Sequence, residues 1–174
     1  MMRNSLMTSF IACAVAIAVV ACSEGQRALV SGVDPCRYCR MTIDDVRFGA
    51  MVKTDKGKIE TFDSIECLAS FVASLPPDMK PQGVWVADFS TPSRWIDVES
   101  ARFVQTNALK SPMGRELAAF DATRSEAELT GEYGGRVLDW TAVQAMVSSK
   151  PFAPTGASAS MRDSRAVASA THVH

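Results

Sequence analysis

The chain has 174 residues, 47% of them hydrophobic and 21% charged, with 18 basic side chains against 19 acidic ones. That supplies a core for one domain or two very small ones. A formal net charge of -1, with no basic stripe interleaved with aromatics, excludes the electrostatic footprint of a nucleic-acid binder.

At the N-terminus Arg3 precedes an apolar run over residues 10–20, the pattern of an export signal. The run is shorter than the roughly 20 apolar residues that a membrane-spanning helix needs. Val19-Val20-Ala21-Cys22 resembles the lipobox of bacterial lipoprotein signals. Residues 1–21 are therefore expected to be removed, with Cys22 as a lipid anchor in the periplasm; Ser23 after it fits lipoproteins sent to the outer membrane. The polar stretch 22–32 reads as a tether, 33–149 as the globular part, in halves of about 33–80 and 81–149. Residues 150–174, rich in Ser, Ala and Pro, read as a disordered tail.

In chain order, residues 47–53 and 58–62 are strand candidates around the Asp55-Lys56-Gly57 turn signal. Asp63 is a plausible N-cap with Glu66 three residues on, and Ile65, Leu68, Ala69 and Val72 follow at helical spacing until Pro76-Pro77. Residues 83–89 and 95–106 read as two more strands, and Ser111-Pro112 as the start of a helix over 112–121. After Gly134-Gly135, residues 136–138 suit a short strand and Asp139 caps a last helix bearing Trp140, Val143 and Val147. The expected fold class is α+β, built from two similar ββα halves.

Of the five cysteines, Cys13 leaves with the signal and Cys22 is acylated, which leaves Cys36, Cys39 and Cys67. Outside the cytoplasm, such an odd set containing a close pair suggests metal binding, redox chemistry or one stray buried cysteine. Residues 36–41, Cys-Arg-Tyr-Cys-Arg-Met, place two thiols and a thioether within six positions. Soft donors of this kind favour Cu(I) over hard cations. In an extended stretch, Cys39 and Met41 project to the same side.

Three other readings remain open. The pair could be a thioredoxin-like redox motif, although that reading expects a helix at the motif and a hairpin follows instead. A zinc site needs four protein ligands, and with no histidine in 33–149 it could be completed only by Cys67 and a carboxylate. Met41 could be core filler, Cys67 a small buried residue beside Phe71, and Met113 part of an apolar face with Leu117 and Phe120. Without histidine in the globular part there is no histidine-based triad or acid–base pair, and no Gly-rich phosphate loop follows a strand, so enzymatic hydrolysis is disfavoured. His172 and His174 offer at most a weak metal site in the tail.

Residues 36–41 (CRYCRM), 61–68 (TFDSIECL), 106–120 (TNALKSPMGRELAAF) and 134–140 (GGRVLDW) together resemble the NosL family. The resemblance covers about 33–149 as well as the lipoprotein signal. It implies two ββα halves and a non-enzymatic role as a lipoprotein that carries Cu(I) for maturation of nitrous-oxide reductase. It also implies an ABC-type transporter and its periplasmic partner as handover components. The family's Cys-Gly-Met element corresponds to Cys39-Arg40-Met41 and its Met-Gly to Met113-Gly114. The implied ligands are thus Cys39, Met41 and Met113, with Cys36 and Cys67 secondary. The alternatives within the same system are a CxxC thiol–disulfide reductase and a docking subunit that carries no metal. Arg40 departs from the family's glycine, which puts the site's geometry in question. The histidine-rich tail of some members is reduced here to His172 and His174, which leaves a copper-collecting role for the tail in doubt.

Overall fold

The computed structural model describes residues 25–151. The expected signal peptide, Cys22 and the tail with His172 and His174 lie outside the described residues. Among the described residues no helix is long and apolar enough to cross a membrane.

A one-turn 3-10 helix, Val46–Phe48, capped by the Asp45 side chain, leads into β1 (Ala50–Lys53). Thr54 and Lys58 close a tight turn in which Gly57 takes φ +78°, the left-handed conformation that the Asp-Lys-Gly signal anticipates. The chain returns as β2 (Ile59–Phe62) and enters α1 (Ile65–Ala73). β3 (Gly83–Asp88) pairs with the other edge of β1, Met51 opposite Trp85, and β4 (Thr91–Asp97) extends the sheet to the order β2-β1-β3-β4.

The run 95–106, expected as one strand, is broken by the 3-10 turn Val98–Ser100, where Asp97 accepts from the Glu99 N–H. There the chain passes to a second sheet. β5 (Ala101–Gln105) lies at its centre between β6 (Leu117–Asp121) and β7 (Arg136–Leu138), with α2 (Glu126–Tyr133) between β6 and β7 in sequence and α3 (Trp140–Ser149) after them. Each half is a sheet plus helix in which the first strand is central: β1, β2, α1, then β3 beside β1; β5, β6, α2, then β7 beside β5. The α+β class with two ββα halves holds.

The elements of the second half differ from the expectation. Residues 112–121 do not form a helix. Gly114 at φ +70° and Glu116 at φ +59° are incompatible with one, and Leu117 to Asp121 pair along β5. Both faces of β6 are covered: Leu117 and Ala119 belong to the larger core, Ala118 and Phe120 to a smaller one with Phe48, Val104, Leu109 and Leu129. The helix of the second ββα unit is α2, held by a Ser125–Glu128 capping box. The larger core joins the halves, with α1 packed on α3 and on β6. In the second core, Phe48, Phe89, Phe120 and Tyr133 pack ring to ring, with Arg47 and Arg124 over their faces.

The stretch read as a tether is bonded to the domain from Arg27 onward. Its guanidinium pairs with Asp34 at 2.7 Å, its carbonyl accepts from Trp95 Nε1 at 3.1 Å, and the Gly32 N–H donates to Ile43 O at 2.9 Å.

Candidate metal centre

The segment from Pro35 to Thr42 is a small loop closed by its own backbone. Pro35 and Thr42 form a β-bridge, the Cys36 N–H donates to Met41 O at 2.7 Å, and the Arg40 N–H donates to Cys36 O at 3.1 Å. Closure requires the left-handed conformation at Arg40, φ +68°, a conformation that glycine adopts freely and that a side chain makes strained. The loop is docked on β2, with the Arg37 N–H on Thr61 O at 2.7 Å and the Thr61 hydroxyl on Pro35 O at 2.9 Å. Docking sinks Cys36 completely and leaves Cys39 6% exposed.

β2 ends one residue before Asp63, and the cap of α1 is Ser64, whose hydroxyl accepts the Cys67 N–H at 3.2 Å. The sequence reading assigned the cap to Asp63; with Ser64 in that role, the buried Asp63 carboxylate turns to the cysteines. Cys67 sits on the first turn of α1, where the helix's positive end favours a thiolate. One ligand atom each from Cys36, Cys39, Asp63 and Cys67 lies within 4.8 Å of the others, and all four residues are buried.

These groups share protons. The Cys39 thiol donates to Asp63 Oδ2 at 3.4 Å, whereas Asp63 Oδ1 is buried with no hydrogen-bond partner. Hydrogen bonding with Cys39, then with Cys67, holds Cys36 far below the ordinary thiol range. The same hydrogen bond, from the other side, pushes Cys39 up to about 12, and Cys36 and then Cys39 push Cys67 up as well. Burial, followed by the charge on Cys36, raises Asp63 to about 6. The cluster therefore gathers negative charge at one sulfur and leaves two thiols as its donors. A soft cation can replace those protons.

The expected ligands are placed unequally. Cys36, Cys39 and Cys67 converge. Met41 is 56% exposed at the end of the loop. An open depression of about 630 Å³ has a lining that includes Cys36, Arg37, Arg40 and Thr61 but not Met41. Met113 is partly buried against the core that contains the three cysteines. Its loop is fixed from α1: Glu66, fully buried, accepts from the Ser111 hydroxyl at 2.6 Å and from the Arg115 N–H at 3.1 Å. Asp63 and Glu66 were taken as a capping pair in the sequence, so neither was read as part of the site. An acidic residue within four positions of Cys67, at a strand-to-helix junction, was the signal available.

A profile of the NosL family matches residues 28–148. No curated protein sequence matches the chain at a significant level. Among solved structures, the crystal structure of the copper chaperone NosL from Shewanella denitrificans is similar, with 24% identity and a TM-score of 0.53, covering 67% of this chain and 94% of that one. Because the profile match spans most of the chain, the chain belongs to the NosL family.

Proposed function

We propose that this chain is a carrier of Cu(I), not an enzyme, and that it delivers copper for maturation of nitrous-oxide reductase. The observation that carries this reading is the buried convergence of three cysteines, two of them from the loop that ends at the exposed Met41. Soft thiolates suit Cu(I). The similar solved structure is described as a copper chaperone.

A carrier must exclude water from its ion and still release it. In this reading Cys39 is the central ligand, because it belongs both to the buried cluster and to the loop that exposes Met41 two residues on. Met41 passes the ion outward and Met113 contributes from the second half. Exchange then proceeds through shared ligands, with the recipient's donors replacing Met41 before Cys39 lets go. The remaining parts of the proposal are a periplasmic chain held by a lipid on Cys22, directed to the outer membrane, with nitrous-oxide reductase and its ABC-transporter and periplasmic assembly proteins as partners.

Three measurements test it. In an anaerobic competition titration, the Met41→Ala, Met113→Ala double variant should bind Cu(I) more weakly while its far-UV circular dichroism is unchanged; equal affinity would remove both thioethers from the site. In cells, Cys39→Ser should lower the copper content of nitrous-oxide reductase. Full metallation with this variant would favour a docking subunit, and catalytic turnover of a disulfide substrate by Cys36 and Cys39 would favour a reductase.

A further inference from the structure

Besides its cysteines, the docked loop brings cations to the surface. Arg27, Arg37, Arg40 and Lys58 line the open depression of about 630 Å³, with Glu60 as the acidic residue of its wall. Lys58 at 2.8 Å and Arg37 at 3.5 Å share Glu60, Asp34 answers Arg27, and Arg40 has no acidic partner among the described residues. A positive surplus is thus left on one face of a chain whose formal net charge is -1.

The exposed apolar side chains belong to the same part of the chain. Val30, Val33 and Met41 are the exposed large apolar residues among the described ones. Backbone hydrogen bonds from Gly32 to Ile43 O and from Cys36 to Met41 O clip the stretch 30–43 into one unit. Cations and exposed apolar groups on one small unit are the composition of a surface that lies in a membrane interface.

The point at which the chain enters the domain favours a lipid occupant over an acidic protein. Gly25 lies against β1 and β2, where an added Cβ would stand 3.2 Å from Lys53 Cδ and 3.3 Å from Ile59 Cδ1, and Trp95 Nε1 donates to Arg27 O at 3.1 Å. The stretch from Cys22 to Gly25 can span at most about 11 Å. A lipid on Cys22 therefore sets Arg27, Lys58 and Ile59 close to the headgroups, near the distance over which their charge is felt.

We propose that the basic depression beside the cysteine loop is a membrane-docking surface, which rests on anionic phospholipid headgroups when the chain is anchored. This inference rests on the reading of Cys22 as a lipid anchor. Its cations meet phosphodiester oxygens, and the segment from Pro35 to Arg40 turns toward the bilayer. A recipient in solution then reaches that loop only when the domain tilts away from the surface.

The test uses the full chain isolated from bacterial membranes and reconstituted into phosphatidylcholine vesicles with and without phosphatidylglycerol. An amine-acetylating reagent labels the lysines. Mass spectrometry reads the N-terminal peptide for acyl chains on Cys22 and compares Lys58 with Lys110 in the second half, whose side chains are 70% and 75% exposed. Phosphatidylglycerol should slow acetylation of Lys58 about threefold or more, leave Lys110 unchanged, and lose its effect in high salt. The Arg37→Gln, Arg40→Gln double variant should return Lys58 toward its rate in neutral vesicles. Equal rates at Lys58 with and without phosphatidylglycerol, on a chain whose Cys22 carries lipid, overturn the inference and leave the anchor standing. Equal slowing of Lys58 and Lys110 also overturns it, because no face is then preferred. A chain without acyl groups on Cys22 removes the anchor and this inference with it. Acetylation of the unaltered chain does not depend on whether a variant folds.

Discussion

Glu66 is the side chain on which the two halves of the domain depend most visibly. Its Oε1 accepts two hydrogen bonds from the loop bearing Met113, at 2.6 Å from Ser111 and 3.1 Å from Arg115, while Oε2 has no partner. Glu66→Ala removes both acceptors, at about 1 kcal/mol each, and leaves a small void that adds about as much again. The expected loss is about 3 kcal/mol, or roughly 10 °C in melting temperature for a domain of this size. Glu66→Gln keeps an acceptor at the Oε1 position, and its amide nitrogen replaces an oxygen that already lacks a partner, so it should cost less than about 1 kcal/mol. Burial raises the Glu66 pKa above its ordinary 4.5, so the native state binds more protons than the unfolded one. The penalty from this group is absent below pH 4.5 and grows as pH rises past that value. The parent chain should therefore lose stability relative to Glu66→Gln between pH 5 and 7, read from urea midpoints followed by circular dichroism. Glu66→Ala within about 1 kcal/mol of the parent, or Glu66→Gln falling as far as Ala, would refute the reasoning.

Gly135→Ala should cost about 3 kcal/mol or more, because at φ +74° its new Cβ would stand 2.1 Å from Gln105 O, against the β5–β7 pairing; a melting curve checks this. Arg40→Gly should stabilise by about 0.5 kcal/mol, the relief of a left-handed residue less the added freedom of the unfolded chain, as a small rise in urea midpoint. Asp34 accepts two bonds from Arg27 and one from the Val30 N–H, all at 2.7 Å, and the Arg27 bond holds its pKa below the ordinary 3.8. With Arg27 half exposed, Asp34→Asn should cost about 1 kcal/mol at pH 7. That difference should persist above pH 4 and vanish as pH falls below the ordinary aspartate range, which paired unfolding curves at pH 7 and pH 3 would show.

Elements with local signals were legible in the sequence: the hairpin through Gly57, β7 after Gly134-Gly135, and α3 from its Asp139 cap. The segment 112–121 was not. Met113, Leu117 and Phe120 fall at helical spacing, but a strand buried on both faces has no polar alternation to contradict a helix. α2 was missed because Leu129 is its only buried apolar residue, although Ser125 and Glu128 carried the capping-box signal. At the site, the spacing of Cys36 and Cys39 announced the loop, yet nothing local distinguishes Asp63 from Ser64 as the cap of α1. Tertiary packing decides it, and with it whether Asp63 reaches the thiols. The same limit applies to Met41, whose exposure follows from how the Cys36 to Met41 loop docks on β2.

The central claim is that Cu(I) binds at the buried thiolates with Cys39 as the shared ligand. It is tested most directly by anaerobic titration of the reduced protein with Cu(I) against a chromophoric competitor, in parallel with Cys39→Ser. Uptake of one ion per chain, lost in Cys39→Ser and weakened in Cys67→Ser, is the predicted result. A reduced protein that takes up no Cu(I), or a Cys39→Ser chain that binds as tightly as the parent, would contradict it.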